Sequence, residues 1–441
     1  MCSLIDSKEV DVRREGARAF ALFACKLDSH HALVRERVSS HFLPLLNDTD
    51  EICRRYGVLA VSNLAISRSS HKELFDNGAV ALLLLCAASK DLQTRRAVAF
   101  AFNNLASNFD SHISCERVGL MKPLVTLLQD ADKDVSMQAS ISVRKLAESA
   151  RCRNQFIDMN GIAPLLNLCK KDDIEVLREA AAALRNLSLG QQIKITIVRS
   201  GGIEVLCNLM HSADVEICHQ STGVIANLAE AIENQAVMIN SGIVQHLKYV
   251  MRSKSIDIQR EGSRCLSNLS ADYAYGPTII AAGGILPLIS ALSSPDFLCQ
   301  RFAVMGIGNL ATNQTNQRRI LQEGALSALV SLAKFENGDL ESQRYGAFAL
   351  TNLAATKANH ATMIDAGCVS LMRQLIDHTD PEIRNSALFY VANYASNSAN
   401  HQLILSENFV PKIIGFLSSK DSIAQLRAVA TLRGLSVRDL F

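Results

Sequence analysis

The stretch "REAAAALRNLSLG", residues 178–190, reads as an amphipathic helix that carries one polar amide, Asn186. Ala180, Ala183, Leu184 and Leu187 follow the i, i+3, i+4, i+7 spacing that sets a buried stripe along a helix. Asparagine competes for backbone hydrogen bonds and gains little inside a helix, so its presence needs a reason. That reason begins with repetition. Asn-Leu returns at 63–64, 104–105, 186–187, 227–228, 268–269, 309–310 and 352–353, and the register continues through Lys145, Asn393 and Gly434. Successive anchors are 41 residues apart except for one step of 43. A fixed period of this length marks one supersecondary unit copied along the chain.

The unit ending in the opening stretch shows what is copied. Residues 153–159 suggest a short helix, which Asn160-Gly161 ends because glycine readily takes the left-handed conformation. A second helix is predicted from Ile162 to Cys169 with Pro164 in its first turn, where a missing N–H costs little. Lys170 to Asp173 form a polar turn, and a third helix is predicted from Glu175 to Leu189. The repeat is three helices and no strand. The turn glycine recurs at 78, 119, 161, 202, 242, 284, 324 and 367, with Asn408 in the last unit. Small residues recur six before the anchor, at 57, 180, 262, 303, 346 and 387, where the third helix is expected to approach its neighbours closely.

Composition agrees with a packed array. With 48% hydrophobic residues and 8 prolines, the 441-residue chain has the apolar surface for a continuous core, and one elongated body is expected because each repeat packs on its neighbours. A net charge of +2 argues against a generally basic nucleic-acid binder. The 12 cysteines show neither C-x-x-C pairs nor zinc-ligand spacing, so reduced thiols in a cytosolic or nuclear compartment are expected. No run of 18 apolar residues marks a membrane span, and the N-terminus lacks the signal-peptide pattern.

Three helices, a glycine between the first two, a long third helix and a closing Asn-Leu-Ala resemble the armadillo repeat. The resemblance covers almost the whole chain and implies an all-α, right-handed alpha-alpha superhelix, with the third helices lining its concave face. The expected units are a partial repeat at 1–29, then repeats at 30–69, 70–110, 111–151, 152–192, 193–233, 234–274, 275–316, 317–358, 359–399 and 400–441. The unit at 317–358 carries two extra residues around Asn337-Gly338, beside Glu336, Asp339 and Glu341. The chain opens inside a repeat, since Arg13-Arg14-Glu15-Gly16 matches Arg54-Arg55-Tyr56-Gly57, and a segment of something longer is expected. The final "SVRDLF" looks like a poor cap, and an exposed apolar end could mediate self-association.

On a helix, positions 0, −4 and about −8 from the anchor share a face. The anchor row is Asn63, Asn104, Lys145, Asn186, Asn227, Asn268, Asn309, Asn352 and Asn393. An amide offers donors and an acceptor, so it can pair with a peptide backbone regardless of side chain. Helices about 10 Å apart and a strand rising about 3.3 Å per residue would put one asparagine near every third peptide residue. The other reading has the same amides bonding the neighbouring repeat. The −8 row, Arg55, Arg96, Arg178, Arg260, Arg301 and Arg344, continues Arg14 of the partial repeat, with His219 in the odd position. With Arg144, Lys145, Arg185 and Arg264 it gives a positive floor, unless the arginines bridge adjacent repeats. Phe100, Met305, Phe348 and Phe389 in the −4 row are expected to form register-setting pockets.

Within the family, importin-alpha-like members implied by the resemblance bind basic signals through tryptophan at −4 among acidic residues. This chain has no tryptophan and a groove that leans basic, so it looks closer to the beta-catenin-like and vacuolar-scaffold branches. The expected role is a non-enzymatic cytoplasmic scaffold that captures an extended acidic or amphipathic segment of a partner protein, tethering it to a membrane or organelle. A cytoskeletal or axonemal scaffold is the alternative. Residue 2 is Cys, not the Gly that myristoylation needs, which leaves palmitoylation of Cys2 as a candidate anchor. Single-stranded RNA binding would want stacking residues in periodic pairs, and the −4 row supplies three phenylalanines. No phosphate loop or H-E-x-x-H occurs, His30-His31 has no ligand partners at usable spacing, and Gly201-Gly202 and Gly283-Gly284 fall at repeat turns. No catalytic, cofactor, metal or small-molecule site is expected.

Overall fold

In the computed structural model, residues 2–35, 42–334 and 339–436 are described, and among them there are helices and turns but no strand. Glu336 and Asn337-Gly338 of the long repeat, the side chains of Cys2 and His31, and the last residues from 437 onward lie outside that description. The chain forms two compact units, Met1–Leu228 and Ala229–Phe441, where the sequence suggests one body. Repeats that pack mainly on their neighbours leave such a division open at a repeat boundary, and here it follows a third helix. Each unit is an all-α stack of the alpha-alpha superhelix class.

The third helices of the first unit are α1 (Val10–Ala24), α2 (Glu51–Leu64), α3 (Leu92–Ala106), α4 (Lys133–Leu146), α5 (Ile174–Leu187) and α6 (Val215–Leu228). Those of the second are α7 (Ile256–Leu269), α8 (Phe297–Ala311), α9 (Leu340–Leu353), α10 (Pro381–Ala395) and α11 (Ser422–Ser436). Within each unit, successive third helices pack on one another. The repeat containing the opening stretch has helices Ala150–Asp158, Ile162–Leu168 and α5. Its first helix starts earlier than predicted because Ser149 caps it, accepting from the Cys152 N–H. Asp173 caps α5 by accepting from Glu175 and Val176, and the stripe Ala180, Ala183, Leu184 and Leu187 is fully buried.

One prediction about the turn needs correction. Gly161 is right-handed at φ −69°, and the left-handed residue is Asn160 at φ +53°. The same one-residue displacement puts Gly201 and Gly283, not Gly202 and Gly284, at positive φ. The left-handed positions are then Gly78, Gly119, Asn160, Gly201, Gly242, Gly283, Gly324, Gly367 and Asn408, which keep the repeat's period. Gly161 is small for another reason: an added Cβ would lie 2.5 Å from the Phe156 ring.

Small residues six before the anchor do mark close approaches. A Cβ on Gly57 would sit 2.8 Å from the Leu45 Cβ, and one on Gly262 would sit 2.6 Å from the Met251 Cγ. The third helix therefore presses against the second helix of its own repeat, which fixes the direction of its opposite face.

Candidate functional site

The anchor amides face the preceding third helix. Asn186 Nδ2 donates to the Arg144 carbonyl at 2.9 Å, Asn352 to Gly308 at 3.2 Å and Asn393 to Thr351 at 3.1 Å. Asn63 donates to Ala21 at 3.2 Å, while Asn309 reaches toward Ser267 at 3.5 Å and Asn227 donates to Ser188 Oγ at 2.8 Å. In most repeats the acceptor is the carbonyl one residue before the previous anchor. The amides thus bind one repeat to the next, the second of the two readings. Bonding of this kind leaves Asn186, Asn352 and Asn393 a second amide hydrogen and a carbonyl oxygen. Asn104 departs from the row, its buried Nδ2 having no hydrogen-bond partner, and Asn268 is half-buried on α7.

The −8 arginines also point along the array. Arg14 meets Asp50 at 2.7 Å, Arg55 meets Asp91 at 2.8 Å, Arg96 meets Asp132 at 2.7 Å and Arg178 meets Asp214 at 2.5 Å. In the second unit Arg260 meets Asp296 at 2.8 Å, while Arg301 meets Asp339 and Arg344 meets Asp380 at 2.6 Å. Asn385 holds the same position and donates to Asp421 at 2.9 Å. Each carboxylate also accepts an N–H in the first turn of the next third helix, as Asp91 does from Thr94 and Asp296 from Cys299. One aspartate therefore caps a helix and clamps the arginine of the repeat before it. The positive floor is revised accordingly, because the charges of Arg178, Arg260, Arg301 and Arg344 are already matched.

Three further cations in the expected groove also have partners. Arg144 pairs with Glu179 at 3.0 Å, and Arg264 lies between Glu230 and Glu261 at 2.6 and 2.7 Å. Arg185 Nη1 lies 3.0 Å from His219 Nε2, and its Cζ would be 2.8 Å from a Cβ added to Gly223. The guanidinium covers the backbone where the −4 side chain is missing.

Lys145 is different. Its Nζ donates to Asn103 Oδ1 at 2.5 Å, Ser107 Oγ at 2.7 Å and the Asn103 carbonyl at 3.3 Å. No carboxylate among the described residues lies within ion-pair distance of it, and burial, aided by the neighbouring Arg144 charge and only partly offset by the Glu179 carboxylate, pushes its pKa down.

At the −4 position of their own third helices, Phe100, Phe348 and Phe389 are 38%, 37% and 41% exposed, while Met305 is half-buried. Each ring is thus partly open to solvent and partly packed. Phe389 stacks under Arg427, whose Cζ is 4.7 Å from the ring centroid.

A row that the sequence reading passed over lies eight residues after the anchor. Nε2 of His71, His112, His360 and His401 sits 2.8 to 2.9 Å from the carbonyls of Ala65, Ala106, Ala354 and Ala395, at the ends of third helices. Regular spacing of these histidines was the available signal. Burial pushes the His71 and His360 pKa values down, keeping the rings neutral. Among the described residues no disulfide joins two cysteines, and every cysteine whose side chain is described except Cys25 is buried, with burial pushing the Cys115 and Cys169 thiols up to about 12. Among the described residues, no cluster of His, Cys, Asp or Glu could hold a metal ion, and no single helix is long and apolar enough to cross a membrane.

A family model described as Armadillo/beta-catenin-like repeat matches residues 149–189 and 190–230. No curated protein matches the chain. An engineered protein of known crystal structure is similar at 27% identity and a TM-score of 0.78, over 89% of this chain and 97% of its own. A second engineered protein is 28% identical with a TM-score of 0.51, over 53% of this chain and 96% of its own. Two adjacent matched repeats, the structural likeness to the engineered proteins and the clamped third helices together support an armadillo-like repeat family for this chain.

Proposed function

We propose that the chain is a non-enzymatic scaffold that holds an extended, acidic or amphipathic segment of a partner protein against its third helices. Armadillo-type arrays are commonly protein-interaction scaffolds and typically non-catalytic. The observation that carries the reading is made in each unit by itself: the half-used amides Asn352 and Asn393 stand one turn from the exposed rings of Phe348 and Phe389 in the second, and the first carries Asn186 and the exposed Phe100 on its third helices. The amides supply side-chain-independent bonds to a peptide backbone, and Phe100, Phe348 and Phe389 supply apolar anchors. With no tryptophan in the chain, the beta-catenin-like or vacuolar branch suits it better than the importin-alpha branch.

Site-specific photo-crosslinking tests this. Benzoylphenylalanine at Phe100 or Phe389 should capture partner segments in cells, and mass spectrometry should map each to a short extended stretch. The same probe at Leu85, which is 72% exposed on a second helix, should capture little. Capture confined to Leu85 would rule the third-helix face out.

A further inference from the structure

Lys145 breaks an otherwise uniform row, since every other anchor from 63 to 393 is asparagine. Structurally an asparagine would suffice. Lys145 donates to the Asn103 carbonyl as Asn186 donates to the Arg144 carbonyl, so the link between repeats is preserved. What lysine adds is a charge. Asn103 donates through Nδ2 to Gln138 Oε1 at 2.5 Å, which turns its Oδ1 toward the ammonium. The ammonium is therefore held by three neutral oxygens, and the nearby Glu179 carboxylate is committed to Arg144.

An unmatched, half-buried cation gains more from an incoming anion than one with a tethered counter-ion. A partner carboxylate at Arg55, Arg96 or Arg178 would compete with Asp91, Asp132 or Asp214. At Lys145 it would meet only neutral oxygens, the farthest of them the Asn103 carbonyl at 3.3 Å. The −4 residue of the next repeat is Ala182, so that side of Lys145 carries little bulk, while Ile141 and Phe100 hold the −4 position in its own repeat and in the one before.

We propose that Lys145 receives an acidic side chain of the captured segment and thereby fixes its register on the first unit. This rests on the third-helix face being the protein-binding face. Phage-displayed linear peptides selected on the full-length chain supply the probe, and crosslinking from Phe100 locates the one synthesised. Lys145→Asn restores the row's own residue, and its thermal midpoint should match that of the parent. Its affinity should fall about tenfold for the acidic peptide, the scale of one charge-assisted hydrogen bond. Replacing the peptide's acid by the corresponding amide should cost the parent the same factor and the variant nothing. Equal binding by both proteins, or an equal loss with the amide peptide, overturns the assignment to Lys145 while leaving the face in place. Peptides that fail to crosslink from Phe100 overturn the face as well. Tighter, Lys145-dependent binding of a uridine 15-mer would transfer the site to nucleic acid.

Discussion

Asp91 performs two tasks with one carboxylate. It accepts from the Thr94 N–H at 3.0 Å and the Thr94 hydroxyl at 2.7 Å, and Arg55 donates to both of its oxygens at 2.8 Å. Burial pushes the carboxyl pKa up, but the bonds from Arg55 and Thr94 outweigh it and leave the value at about 2. Removing the side chain loses both the cap and the clamp, so Asp91→Ala should cost about 1–2 kcal/mol. Asp91→Asn keeps a good cap and should cost less, and Arg55→Met should cost under about 1 kcal/mol because the pair is partly solvated. Urea denaturation ranks the three, and equal losses for Ala and Asn would mean that the charge pair, rather than the cap, does the stabilising. The arginine row was legible in the sequence, and bridging adjacent repeats was one of its two readings, but its partners were not. Reading one helix face isolates Arg55 from Asp91, although the aspartates at 50, 91, 132, 173 and 214 recur with the same period and sit at helix starts. Pairing the two rows would have identified the clamp. Lys145 was equally visible, yet only the structure shows that no carboxylate among the described residues lies within ion-pair distance of it.

The second and third helices of the opening repeat lie within two residues of their expected bounds, but the first starts three residues early at its Ser149 cap, and the inter-helix turn required the exact period of the array. Where two candidate residues adjoin, as at Asn160-Gly161 or Gly201-Gly202, local preference favours glycine, but packing decides which residue turns. At Asn160-Gly161 the second residue must be small because Phe156 leaves no room for a Cβ, and the asparagine takes positive φ. The two roles respond differently to substitution. Gly324 has φ +84° and nothing within 4 Å of an added Cβ, so Gly324→Ala should cost about 1–2 kcal/mol through backbone strain alone. Gly324→Asn should cost less, because Asn408 holds the equivalent position at φ +59°. Gly161→Ala meets no backbone penalty but drives a methyl into the Phe156 ring, and overpacking of that kind should cost about 1–3 kcal/mol. Thermal melts of these variants separate strain from crowding: asparagine rescues at 324 and should not at 161.

At the scale of the whole chain, the clamps make acid the condition that reaches most repeats in each unit. An aspartate titrates near 3.9 when unfolded, whereas Asp91 and Asp296 are held at about 2, and Asp132, Asp214, Asp339 and Asp380 are also shifted down. A folded-state pKa below the unfolded value means that the unfolded chain binds protons first. The stabilisation is therefore complete above about pH 4 and lost as pH falls toward 2. Buried His71 and His360 act in the same direction over a higher window, since their lowered pKa values begin to cost stability below about pH 6.5. Protonating the aspartates also leaves a row of arginines unmatched in each unit, so repulsion adds to the loss. The thermal midpoint should decline gently below about pH 6.5 and steeply below about pH 4. Asp91→Asn and Asp296→Asn, one in each unit, should start lower at neutral pH and fall less steeply in acid, because each removes one titrating clamp. Parallel acid profiles for parent and variants would show that the clamps do not hold the repeats together, and the stability would then reside in the apolar stripes of the third helices.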